Sequence, residues 1–219
     1  MIDFRAQTIK LRNFKTLDKE VLNCHKCSGL NIPEETMNAG IGYGSTHADL
    51  LVVGQSLHSY NSETPDRQIP FVGPVKRMDS GKILYEGLSK AGYSFENRNL
   101  FVTNTVMCHT PGNRPSKPKE IENCRPYLES LINVMKPKFI LTLGSEAREW
   151  FEFPRQENGR FASIFFHSSE YLNKMLDLNL MGFIVSVHPS YILRFGNMHR
   201  QKYIDQLIEC LEATKEAKY

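Results

Sequence analysis

A chain of 219 residues is long enough for one α/β domain with a substantial core. With 41% hydrophobic and 23% charged residues it is no disordered tail, and a net charge of +3 gives no whole-molecule argument for a polyanionic partner. No apolar run approaches membrane-span length and residues 1–10 lack the apolar centre of a signal peptide, so the expectation is a cytoplasmic, intracellular protein with reduced thiols and no membrane partner.

Residues 8–23 place Ile9, Leu11, Phe14, Leu17, Val21 and Leu22 at helical spacing and predict a first helix. A cysteine-bearing loop follows at 24–30. Residues 49–54 form a short apolar run ending in Gly54, which suits a buried strand. The stretch 55–80 is rich in Ser, Pro and Asp, has no period and reads as loop. Residues 82–90 read as a helix that stops at Gly92. Residues 100–106 are strand-like, and 118–135 predict a helix opening on Pro118 and closing before Pro137. Residues 138–143 read as a strand ending in Gly144, and 145–152 as a short helix. Across 153–181 no period stands out, although 161–166 suits a strand. Residues 183–187 read as a strand and 199–216 as a closing helix. No internal repeat or low-complexity tract interrupts the chain.

Strand and helix alternating in this way predict a three-layer α/β/α sandwich around a central, mainly parallel four-stranded sheet, as one domain over 1–219. Ligands of such sheets sit at the carboxyl ends of the strands. The unusual residues fall there: Gly54-Gln55, Asn104, Gly144-Ser145 and His188-Pro189-Ser190. These points are distant in sequence but share one rim of the expected sheet.

Five cysteines in a reducing compartment point to metal chemistry or burial rather than disulfides. Cys24 and Cys27 form a C-x2-C pair, and fifteen residues separate Cys108 from Cys124. Four thiolates in two groups suit a [4Fe–4S] cluster or a structural zinc, and spacing does not separate the two. Buried packing is the ordinary alternative for Cys108 and Cys124. Cys210, beside Leu207 and Leu211, reads as a packing residue. The 110–119 loop, with Arg114, Lys117 and Lys119, offers a basic edge for DNA phosphates.

Several strings follow one another in order: C-x2-C at 24–27, LLVVGQ at 50–55, PFVG at 70–73, TNTVMC at 103–108 and P-x-N-R at 111–114. Cys124, LTLG at 141–144 and HPSYILR at 188–194 complete the series. From about Cys24 to Arg194 the chain resembles the family 4 uracil-DNA glycosylases, the iron–sulfur branch of that superfamily. The resemblance implies a monomeric DNA glycosylase with a [4Fe–4S] cluster on Cys24, Cys27, Cys108 and Cys124, zinc being the lesser occupant. It implies that the enzyme flips a uracil out of double- or single-stranded DNA and cuts its N-glycosidic bond. Gly54, Phe71 and Asn104 would then bind the base, Phe71 by stacking and Asn104 at the base edge. His188 would donate to the base O2, with Gln55 and Asn104 completing the catalytic set. Ser190, Ile192 and Arg194 would contact DNA together with Arg114 and Lys117, with Ile192 as the apolar wedge. Each residue also has an ordinary reading: Phe71 as a core aromatic, Asn104 as a turn former, His188 as a loop cap.

The chain departs from the family where Gly-Glu-x-Pro-Gly usually follows the first strand. Here the residues are Gly54-Gln55-Ser56-Leu57-His58. An amide cannot act as a general base, and Glu63 and Asp66 are the nearest acidic residues in the following loop. Residues 74–79 are inserted after PFVG, with Lys76 and Arg77 within reach of phosphate. Two alternatives therefore stand beside uracil excision: a glycosylase for a modified or bulky pyrimidine, and a non-catalytic DNA-binding module that keeps the fold and cluster.

Overall fold

The computed structural model describes residues 13–32, 39–57, 79–153, 165–167 and 179–216. In chain order the elements are α1 (Phe14–Leu22), β1 (Tyr43–Gly44), β2 (Leu50–Leu57), α2 (Asp79–Lys90), β3 (Leu100–His109) and α3 (Pro118–Met135). They continue with β4 (Phe139–Leu143), α4 (Ser145–Trp150), β5 (Phe165–His167), β6 (Gly182–Ser186), α5 (Pro189–Ile192) and α6 (Asn197–Glu216). The sheet order is β1-β3-β2-β4-β6-β5. The pairs β3–β2, β2–β4 and β4–β6 are parallel, whereas β1 and β5 close the two edges antiparallel. The expected four parallel strands are thus the centre of a six-stranded sheet. β1, at two residues, is too short for a hydrophobic period to reveal it, whereas β5 overlaps the 161–166 stretch that suited a strand.

Side chains alternate across each buried strand. Leu50, Val52, Leu100, Val102, Leu141 and Ile184 face a core completed by α2 and α6, through Leu84, Leu88, Tyr203 and Leu207. Leu51, Val53, Phe101, Ile140 and Phe183 face the opposite core, completed by α1, α3 and α4 through Leu17, Val21, Leu128, Leu131 and Trp150. Burial on both faces is why these strands read as unbroken apolar runs. Trp150, the single tryptophan, is buried; its ring packs on Phe151 at 4.6 Å and lies 4.6 Å beneath the Arg125 guanidinium of α3.

Two strands outrun the sequence expectation. β3 continues to His109, so Cys108 lies on a strand rather than in a loop. β2 continues to Leu57, through residues expected to be loop. Its last partner on β4 is Thr142, opposite Val53, and beyond that point β2 follows β3 alone. A crevice therefore opens between β2 and β4. The chain leaves β2 toward β3 on one side and comes back to β4 on the other, which makes this the switch point where open α/β sheets bind ligands.

Candidate active site

The head of the crevice is built from β2 and β3 at the level where β2 loses its β4 partner. Gly54 pairs with Asn104 in the parallel ladder. Asn104 is 2% exposed, and its Oδ1 has no hydrogen-bond partner among the described residues. A buried amide oxygen without a donor costs about 1–3 kcal/mol, so a position like this is retained for a ligand that supplies one. Gln55, the next residue on β2, turns its Nε2 to the Arg114 carbonyl at 3.3 Å. Only the amide nitrogen can donate to that carbonyl, so Oε1 is the atom left to accept.

The second wall comes from β4 and β6. Gly144 follows β4 with φ +91, a left-handed value that glycine adopts without strain. A Cβ there would lie 3.2 Å from His188 Cβ, so this glycine lets the His188 segment approach the end of β4. His188 caps α5: its Nδ1 accepts the Ser190 N–H at 3.2 Å and stands 2.7 Å from Ser190 Oγ. A backbone N–H can only donate. Nδ1 therefore has the lone pair, and in the neutral ring the proton sits on Nε2, which becomes a donor.

Beyond His188 the short α5 sorts its residues. Ser190, Tyr191 and Arg194 are exposed, with the Arg194 guanidinium 5.9 Å from the Tyr191 ring centre. Ile192, expected as an exposed wedge, is instead 3% exposed within the α2–α6 core. One turn of helix rolls it inward and brings Tyr191 to the surface in its place.

The 110–117 loop is more firmly held than a basic DNA edge requires. Arg114 makes a two-pronged ion pair with Glu120 at 2.8 and 2.6 Å, and Glu120 also accepts the Lys117 N–H at 2.8 Å. The Arg114 guanidinium holds the Glu120 carboxyl below the usual glutamate range, against the opposing effect of burial. The charge expected to meet phosphate is thus partly exposed and paired with Glu120, where it fixes the loop to α3. Lys117 is exposed, and Lys119 pairs with Glu122 on the surface.

Sequence reasoning missed one group altogether. Glu146, in the first turn of α4, accepts from Ser116 Oγ at 2.7 Å, Ser116 N at 3.2 Å and Thr105 Oγ1 at 2.8 Å. Thr105 Oγ1 also lies 2.7 Å from the Gln55 carbonyl. Burial raises the Glu146 carboxyl above its usual range, with the Ser116 and Thr105 hydrogen bonds opposing. In sequence the residue shows only as an acid in a helix first turn, an ordinary place for one.

The four cysteines converge on the α1–α3 side. Cys108 and Cys124 are buried in that core, and Cys24 and Cys27 pack against it. Burial first, and the neighbouring thiols next, raise Cys108; burial likewise pushes Cys124 up to about 12. The Met107 N–H donates to Cys124 Sγ at 3.2 Å, and Asn123 Nδ2 donates to Cys27 Sγ at 3.4 Å. Among the described residues no three His, Cys, Asp or Glu side chains are gathered tightly enough to hold one metal ion. Cys210 lies on α6 against the other core. Phe71, Glu63, Asp66, Lys76 and Arg77 lie outside the described residues. Among those residues, no helix is long and apolar enough to cross a membrane.

Residues 41–212 match the model of the uracil DNA glycosylase superfamily. The chain is 30% identical over 190 residues to the type-4 uracil-DNA glycosylase of Sulfurisphaera tokodaii, covering 86% of this chain and 79% of that one. It is 28% identical over 185 residues to the type-4 uracil-DNA glycosylase of Thermotoga maritima (84% and 86%) and 27% over 179 residues to that of Saccharolobus solfataricus (82% and 74%). With the family model covering most of its length and the crevice lying at the switch point of its sheet, the chain belongs to the uracil DNA glycosylase superfamily.

Proposed function

We propose that this chain excises uracil from DNA by hydrolysing the N-glycosidic bond, leaving an abasic site. The observation that carries the reading is the buried Asn104 Oδ1 at the head of the crevice, without a donor among the described residues. Uracil presents an N3–H donor beside an O4 acceptor. The Asn104 amide matches that edge with Oδ1 and Nδ2; cytosine presents the reverse pattern. A base inside a duplex cannot reach such an atom, so it must be flipped out, with Phe71 available to stack on it. Bond cleavage puts negative charge on the departing pyrimidine. The His188 Nε2–H, fixed in that tautomer by Ser190, donates to O2 where the charge develops. Gln55 Oε1 accepts from the attacking water and orients it; the water oxygen bonds to C1′, the C1′–N1 electron pair leaves with uracil, and the water's proton passes to solvent.

The exposed face of α5 then carries the DNA contacts: Ser190 and Arg194 at phosphate, and Tyr191, not Ile192, as the apolar group at the gap. Cys24, Cys27, Cys108 and Cys124 would hold a [4Fe–4S] cluster. What supports this is a set of four neighbouring thiols, two of them receiving N–H donors. In a cluster each thiolate meets a different iron, so the sulfurs stand farther apart than around one ion. Bound, the cluster would supply a cross-link between the 24–27 segment, β3 and α3; the reaction itself transfers no electron.

The test is an end-labelled duplex with one uracil, incubated with anaerobically prepared protein and then cleaved with alkali. The expected result is a cut at uracil, slowed about 100–1,000-fold in H188A with binding of a product-like abasic duplex retained. A second reading, excision of a modified pyrimidine, is favoured by Gln55 standing where a carboxylate is usual; a cut restricted to duplexes carrying modified cytosines would select it. DNA binding without a cut on any substrate would overturn both.

A further inference from the structure

We propose that Glu146 carries a proton in the resting enzyme and, through Thr105 and Ser116, positions Gln55 in the crevice, so that activity falls when that proton is lost. The inference rests on the glycosylase reading above.

The hydrogen count leads to it. Thr105 Oγ1 has one hydrogen and faces two acceptors, the Gln55 carbonyl at 2.7 Å and Glu146 Oε1 at 2.8 Å. With Glu146 ionised, one of these close oxygen pairs has no hydrogen between its members, and the contact is repulsive. With a proton on Oε1 the set closes. Glu146 donates to Thr105, Thr105 donates to the Gln55 carbonyl, and both groups of Ser116 still donate to the carboxyl. Thr105 is fully buried, so no solvent reaches its hydroxyl to supply the missing hydrogen there. Burial acts in the same direction on the carboxyl.

The same carboxyl controls both anchors of Gln55. Its main chain is held through Thr105, and its side chain leans on the carbonyl of Arg114, two residues from Ser116. Among the described residues, no cation pairs with the Glu146 carboxyl. β2 and β4 carry no titratable side chain. β3 contributes Cys108, among the other thiols, and His109, whose Nδ1 lies 3.1 Å from the Leu57 carbonyl. α3 contributes Glu120, which raises Glu146 further, and Arg114 is committed to Glu120. Lys117 is exposed, Arg148 of α4 pairs with Glu149, and His188 stands across Gly144.

Infrared difference spectra of wild type against E146Q, taken through a pH titration, read the carboxyl directly. The expected result is a carboxylic-acid band in the wild type at neutral pH that E146Q lacks. It disappears as pH rises, in step with a fall in the single-turnover excision rate. In E146Q the amide nitrogen donates one hydrogen to Thr105 Oγ1 and one to Ser116 Oγ, while its oxygen still accepts the Ser116 N–H, so this variant keeps the rate within about 3-fold and flattens the alkaline arm, whereas E146A loses about 10–100-fold throughout. T105V removes the relay hydroxyl without adding charge and flattens the same arm. An absent acid band, or equal losses in E146Q and E146A with an unchanged pH profile, overturns the proposal. Should no variant cut any DNA while the band is present, the glycosylase reading fails and the proton assignment stands.

Discussion

Asn104 holds a buried oxygen that folding leaves without a partner among the described residues, so its contribution to stability and to activity should have opposite signs. N104A should lower kcat/KM on uracil by about 1–3 kcal/mol, roughly 5–150-fold, while the melting temperature holds or rises. Parallel thermal melts and single-turnover assays check this; a variant that loses both together would make Asn104 a structural residue. Gly144 is the complementary case. G144A combines a left-handed φ with a 3.2 Å approach to His188 Cβ. It should cost about 1–3 kcal/mol of stability and displace His188, visible in chemical denaturation and in excision rate. Asn104 and His188 were legible in the sequence because each falls in a recognisable string, although Asn104 lies in the middle of β3 and not at its end. Glu146 was not, because its meaning depends on Thr105 and Ser116, which only the folded chain brings beside it. Ile192 was misread for a related reason. A single turn of helix decides which side chain faces out, and four residues carry too little pattern to show it.

At the scale of elements, the junction of the 110–117 loop with α3 turns on one ion pair. Arg114 and Glu120 also secure the carbonyl on which Gln55 rests. Glu120 is held below its ordinary range in the folded state. Its contribution is therefore present above the unfolded glutamate value and is lost as pH falls through the depressed folded value. E120Q should cost about 1–3 kcal/mol at neutral pH and nothing at a pH where Glu120 is already protonated. Amide hydrogen exchange across residues 110–120, followed from neutral to acid pH, checks it. The boundaries of α3 were readable to the residue because Pro118 opens the helix and Pro137 stands just beyond it. Those of β2 and β3 were not. Gln55 and Ser56 read as loop, and β3 was expected to stop at 106, yet the β2–β3 ladder carries both strands beyond the end of β4. That extra length makes the crevice.

On the scale of the molecule, the sheet separates two cores with different duties. The α2–α6 side is apolar packing that also buries Ile192, whereas the α1–α3 side gathers the cysteines. In the proposed cluster-bound protein, C124S should abolish the visible absorbance and the stoichiometric iron and sulfide. It should lower the melting temperature, with the 14–30 segment losing exchange protection first; unchanged iron content would remove Cys124 from the ligand set. The α/β alternation and the shared rim were legible from the chain, because strand-end glycines and buried runs are local signals. β1 and the antiparallel pairing of both edges were not, since pairing direction shows only once β3 and β6 are in place.

Trp150 gives this division an optical consequence. The single tryptophan is buried beneath Arg125, between α3 and α4. Excited beyond the tyrosine absorption band, intrinsic fluorescence therefore has one emitter, and it is blind to the α2–α6 layer. Far-ultraviolet circular dichroism sums the helices of both layers. Denaturation curves from the two signals should coincide while the sheet keeps its layers together. Where they separate, the gap between the midpoints measures how far one layer can loosen while the other stays folded.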